Sequence, residues 1–295
     1  MQFTTTLDRR MLNRHRFAIV AAESMAELPK GIEGRRIVHK RLSDSAELMP
    51  SVVELDRLDV LGRDALLDTI DASEASGQRP VVSALLESPV SVERVVLHLA
   101  RSQVRAGPGG VHAWMRIHDP RVWLHFFRVL GESDLRALFG PITGWTVWLA
   151  GHWITTSPSD GAAHPREREL DSVQQWAALH RVGAVNRVLA NRGWSTHDGL
   201  SRHASAIDAL IVRGSTRHGL ERLSDLVDYA TLGVAIHPRF DETSVAVQAV
   251  AAHRTHAAGG DQADASVVDA LLAIPADAWA RASTEFDDLP AEPTR

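Results

Sequence analysis

The chain has 295 residues, enough for one large domain or two ordinary ones. Its 44% hydrophobic and 23% charged content fit a globular protein, and a net charge of −5 argues against a sequence-independent nucleic-acid binder. It has no cysteine, which removes disulfides, thiolate nucleophiles and zinc–thiolate sites.

No apolar run approaches the ~18 residues that cross a bilayer. The first residues, through Arg16, mix Thr, Asp and Arg and lack the apolar core of a secretory signal. A cytoplasmic location without membrane contact is expected.

Taken in order, Phe17–Ala22 is almost wholly apolar and reads as a strand buried on both faces. Ser24–Leu28 reads as a short helix or turn. Arg36–Leu42 is a more polar strand nearer an edge. Asp44–Leu48 is a helical piece stopped by Pro50, and Ser51–Leu55 is a third strand. Leu58, Leu61, Ala65, Leu66 and Ile70 have helical spacing. A turn at Gly77–Pro80 leads to a strand through Leu86. Pro89–Gln103 is the clearest helix of this half, with Ser91 as N-cap and Val92, Val95, Val96, Leu99 and Val104 on one stripe.

Gly107–Gly110 signals a turn. Val111, Ala113, Met115 and Ile117 then alternate with His112, Trp114, Arg116 and His118, the period of a strand. Trp114 is out of phase with the apolar set, so it contacts a covering helix or faces a partner. Asp119 is placed to cap a helix that opens with Pro120, and the helix carries Val122, Phe126, Val129 and Leu130 on one face. Gly131 ends it. A second short helix through Leu135, Leu138 and Phe139 stops at Gly140-Pro141. Thr146–Ile154 reads as a further strand. Strands alternating with helices predict an α/β lobe with a mixed, largely parallel sheet and flanking helices.

Residues 156–168 hold two prolines and a glycine and read as a linker after a domain at 1–155. Beyond it the period changes to helical throughout: Leu170–Arg192 ended by Gly193, Ala204–Val212, His218–Leu232, a helix through Val245–Val250 capped by Asp241 or Thr243, and Val267–Leu272. An all-α domain at 169–286 is predicted, with a frayed tail at 287–295.

Chemistry finds no anchor. His118-Asp119 is an HD dipeptide, but Pro120 starts a helix behind it, whereas metal-binding HD pairs lie inside one. His253 and His256 can share a helix face without a neighbouring carboxylate. No H-E-x-x-H, G-x-S-x-G or P-loop pattern occurs. The expectation is a non-enzyme without cofactor or metal. The alternatives are a metal-dependent hydrolase using histidines and a general binding scaffold. Eight tryptophans against one tyrosine, crowded at Trp114, Trp123, Trp145, Trp148 and Trp153, suggest core packing or an exposed aromatic patch.

Arg116-x-x-Asp119-Pro120-Arg121-Val122, then Phe139-Gly140-Pro141 and Trp145, resembles the signature of the family catalogued as domain of unknown function 4123. That resemblance implies a type VI secretion adaptor chaperone, which binds an effector toxin and a VgrG or PAAR-type spike protein in the cytoplasm, with neither nucleic acid nor membrane as partner. The motif residues Arg116, Asp119, Pro120, Arg121, Phe139, Gly140, Pro141 and Trp145, together with the out-of-phase Trp114, are expected to form a structural or partner-binding corner.

Overall fold

A computed structural model describes residues 2–4, 9–76, 81–158, 173–258 and 266–286. The turn expected at Gly77–Pro80, most of the linker at 156–168 and the tail at 287–295 lie outside them. The chain divides into two compact units, Met1–His180 and Arg181–Arg295, with the division inside a helix that runs from Val173 to Asn191.

The described residues of unit 1 hold nine strands: β1 (Gln2–Thr4), β2 (Phe17–Val20), β3 (Gly34–Arg36), β4 (Ser51–Glu54), β5 (Val82–Glu87), β6 (Val104–Ala106), β7 (His112–Trp114), β8 (Gly144–Leu149) and β9 (His152–Thr156). Seven form one sheet in the order β1-β9-β8-β5-β2-β4-β3. Every neighbouring pair is antiparallel. This corrects the expected parallel sheet. The strand–helix–strand rhythm is real: α2 (Val60–Ala75) links β4 to β5, which run parallel to each other. However, β2 lies between them and opposes both. An apolar strand buried on both faces suits a central position in either kind of sheet, so composition could not distinguish them. The expected strand at 146–154 is in fact the β8–β9 hairpin. It turns through Ala150 (φ 50°) and Gly151 (φ 84°), and Ala-Gly lacks the usual asparagine of such a turn.

Alternation along the strands makes two apolar faces. Ala18, Val20, Val53 and Leu85 pack with Leu12 of α1 (Arg9–Arg14) and with Leu66 and Ile70 of α2. The opposite face carries Phe17, Ile19, Val52, Ala84, Leu86, Trp145 and Val147, all buried and aligned by the cross-strand register. Near it run α3 (Val92–Ser102), α4 (Pro120–Val129) and α5 (Glu132–Phe139). Val104, expected on the stripe of α3, instead opens β6, and β6 pairs with β7 in a ribbon separate from the main sheet. The Gly107–Val111 loop imposes this: Gly109 and Gly110 take φ of 72° and 76°, which glycine adopts without steric cost, and fold the chain straight back. The predicted eight-residue strand therefore ends at Trp114.

Unit 2 is helical, as predicted. It holds the later part of α6 (Val173–Asn191), then α7 (His197–His218), α8 (Leu223–Ala235), α9 (Ser244–Ala258), α10 (Val267–Leu272) and α11 (Ala276–Ala282). Gly193 and Gly219 adopt left-handed φ where α6 and α7 end. Ile207, Leu210, Ile211, Val227, Tyr229, Phe240 and Leu271 are buried.

Candidate interaction site

The corner is assembled around Asp119. Its Oδ1 accepts from the Arg121 backbone N–H at 3.0 Å and from Arg121 Nε at 3.0 Å, while Oδ2 accepts from Nη2 at 2.7 Å. One carboxylate thus caps α4 behind Pro120 and clamps the guanidinium bidentately. Arg121 is correspondingly held above the ordinary arginine range by those hydrogen bonds. Asp119 therefore closes on Arg121, and Arg116 turns elsewhere: its guanidinium lies 5.0 Å from the centre of the Trp114 ring.

His118 sits beside them, its ring 6.3 Å from that of Trp114. Burial pushes its pKa below the ordinary 6.5; Asp119 opposes this and Arg116 adds to it. His118 is thus a neutral ring at neutral pH, and its Nδ1 is buried without a hydrogen-bond partner among the described residues.

The rest of the predicted corner is interior. Trp145 is fully buried and stacks on Trp123 with centroids 3.8 Å apart and planes 16° from parallel. Phe139 meets both rings edge-on. Such aromatic pairs add about 0.5–1.5 kcal/mol beyond their burial. Gly140 ends α5 at φ 54°, and a Cβ there would fall 2.2 Å from the His98 ring. That ring donates Nε2–H to the Leu138 carbonyl at 2.8 Å. The Pro141 carbonyl accepts from Ser88 Oγ at 2.7 Å. Phe139, Gly140, Pro141 and Trp145 therefore set the corner's position, whereas Trp114 and Arg116 form its exposed part; Trp114 is 37% accessible.

Unit 2 holds a polar assembly that sequence reasoning missed. Arg213 and Arg217 stand one turn apart on α7, and a single 3-10 turn, Phe240–Glu242, carries Asp241 and Glu242 to them. Asp241 Oδ1 takes Arg213 Nε at 2.8 Å, and its Oδ2 takes His218 Nε2 at 2.8 Å. Glu242 accepts from Arg213, from Arg217 and from Arg239. Burial opposes ionisation of Glu242, but the hydrogen bonds from Arg213, Arg239 and Arg217 outweigh it and hold the carboxyl at about 2. Asp241 is likewise lowered: burial works against it, and His218 and Arg213 prevail. The only signal in the sequence is the charge-rich spacing of Arg213, Arg217-His218 and Arg239-x-Asp241-Glu242, in which Asp241 looks like a helix cap.

His218–Asp241 has the form of an acid–base pair, but among the described residues no hydroxyl is hydrogen-bonded to the His218 ring. The second ring nitrogen of His218 is buried without a hydrogen-bond partner among the described residues. His256 donates to the Ala252 carbonyl one turn back on α9. Among the described residues no group of three or more His, Asp or Glu is placed to hold a metal, and no helix is long and apolar enough to cross a membrane.

No curated protein and no solved structure matches the chain. Residues 37–137, roughly a third of the sequence, match the model of the family described as Domain of unknown function (DUF4123), a stretch that runs from the end of β3 into α5 and contains the whole Trp114–Arg121 corner.

Proposed function

We propose that this protein is an adaptor chaperone that binds a type VI secretion effector in the cytoplasm and loads it onto a VgrG or PAAR-type spike protein. The observation that carries the reading is the match of residues 37–137 to that family, whose resemblance implies this role. The distribution of polar groups supports it. Asp241 and Glu242 are bound up in arginines, and Asp119 is spent on a cap and on Arg121. Exposed Trp114 under Arg116 is the kind of aromatic–arginine pair that protein interfaces enrich.

The test is co-purification of the chain with the effector and spike encoded beside it. A ternary complex, or two binary ones, is expected. If both partners are folded and neither is retained at micromolar concentration, the adaptor reading fails.

A further inference from the structure

The β6–β7 ribbon has a polarity that its hydrogen bonds fix. Gly107 N–H donates to the Val111 carbonyl at 2.7 Å and Met115 N–H to the Gln103 carbonyl at 2.7 Å. With the register Val104↔Trp114, Arg105↔Ala113 and Ala106↔His112, the bonded pairs are 103/115, 105/113 and 107/111. The N–H and C=O groups of His112 and Trp114 must then point away from β6. They meet no backbone partner among the described residues. The side chains divide equally cleanly. Gln103 and Met115 are buried on one face, while Val104, Ala106, His112 and Trp114 share the other, where His112 and Trp114 are exposed.

An exposed strand edge takes another strand. Sequence usually guards such edges with short strands, prolines, inward charges or a covering element; β7 is short, but it holds no proline and no strand pairs with its outer side among the described residues. The charges beside it are mostly basic. Arg116, on Trp114, has no carboxylate partner among the described residues. His39 lies within electrostatic reach of His112, and exposed Lys40 and Arg41, also without ion pairs there, follow it directly. Of the nearby acids, Asp119 is clamped to Arg121, which leaves Glu23 near His118.

We propose that the free edge of β7 is a docking site for an extended, carboxylate-bearing segment of a partner protein. The segment adds a strand beside His112–Trp114 and places an acidic side chain on Arg116. That the segment belongs to an effector or spike rests on the adaptor reading; the docking itself does not.

The probe is fluorescein-labelled acetyl-(Glu-Val)4-amide, with the corresponding (Lys-Val)4 peptide as control, titrated into the full chain by anisotropy. His112→Pro removes one outward N–H and no ladder bond, and Val111 already has the φ of −69° and ψ of 140° that a following proline requires. Arg116→Glu reverses the exposed charge. Saturable binding of the glutamate peptide is expected, at least tenfold weaker for the lysine peptide and for each variant. Protection of the 112 and 114 amides from hydrogen exchange should accompany it. An unchanged melting temperature confirms that each variant is folded, and Arg116→Glu remains decisive if His112→Pro is not. Equal binding by both peptides, by wild type and Arg116→Glu, or no saturation at millimolar peptide overturns the proposal. Capture of effector and spike at wild-type level by both variants would sink the edge site and leave the adaptor reading standing. Discriminating peptide binding without any such capture would do the reverse.

Discussion

Two buried polar groups, His15 in unit 1 and Asp241 in unit 2, are satisfied by opposite means. In unit 1, His15 is 2% accessible and neutral: one ring nitrogen bonds the Met11 carbonyl at 2.7 Å, and the other bonds Thr146 Oγ1 at 2.9 Å, which in turn meets Thr155 Oγ1 at 2.9 Å. Unit 2 buries full charges, with Asp241 completely enclosed between Arg213 and His218. A neutral network costs less to desolvate than an ionic one, and loss of a member leaves an unsatisfied dipole and not a charge. An ionic one is costly to assemble and leaves an unpaired charge when broken. The difference teaches where each unit is fragile.

The largest expected effect follows from that asymmetry. Asp241→Ala strips His218 of its carboxylate and leaves Arg213 with Glu242, and should cost unit 2 about 3–5 kcal/mol, as for other broken buried pairs. Hydrogen exchange resolved by region should show α7 and α8 opening while the main sheet stays protected. A loss below about 1 kcal/mol would mean that the cluster is solvated and that the comparison is wrong. On the other side, Thr146→Val removes a neutral partner of His15 and should cost roughly 1–3 kcal/mol, the penalty of one unsatisfied buried group.

A smaller effect tests the packed part of the corner. Gly140→Ala puts a methyl group against the His98 ring at a positive φ. It should cost about 1–3 kcal/mol, the range for overpacking, and thermal melting would read it. Wild-type stability for this variant would show that His98 swings away freely and that its bond to Leu138 contributes nothing.

These sites also show what the sequence could reveal. The helices of unit 2 and the Asp119-Pro120 cap were legible, because caps, glycine stops and apolar spacing are local signals. So was the phase of Trp114, opposite to buried Met115, although not whether a helix covers it. Strand direction was not legible: whether β2 enters between β4 and β5 depends on contacts across the whole unit, and all three strands carry similar apolar runs. The burial of Trp145 and Phe139 was equally hidden, since an aromatic that packs inside and one that faces a partner have the same letters. The Arg213–Asp241 cluster joins residues 28 apart, and no periodic pattern links them.

Acid should separate the units by pH. Burial lowers the folded-state pKa of His15, His98 and His118 below the ordinary 6.5, so below that value the unfolded chain binds protons that the folded one refuses. Their contribution is complete above pH 6.5 and is lost as pH falls from there. Glu74, raised by burial, acts in the opposite sense but is a single, partly exposed carboxyl. In unit 2, Asp241 and Glu242 are lowered from 3.8 and 4.5, and Glu242 reaches about 2; their contribution is complete above pH 4.5 and is lost below it. Between pH 6.5 and 4.5, amide protection corrected for intrinsic rates should therefore fall in the main sheet before it falls in α7 and α8. The reverse order would show that the buried rings of unit 1 accept protons without unfolding.

The smallest effects divide the corner itself. Asp119→Ala removes the cap of α4 and frees Arg121, and should cost about 1 kcal/mol. Arg116→Ala removes an exposed guanidinium from an exposed ring and should change stability by no more than about 0.5 kcal/mol. The two arginines differ in partner: one is held by a carboxylate, the other rests on Trp114. If Arg116→Ala melted well below Asp119→Ala, Arg116 would be part of the framework and not of its surface. If it melts like the wild type, Arg116 belongs to the surface of the corner, where the docking test reads its role.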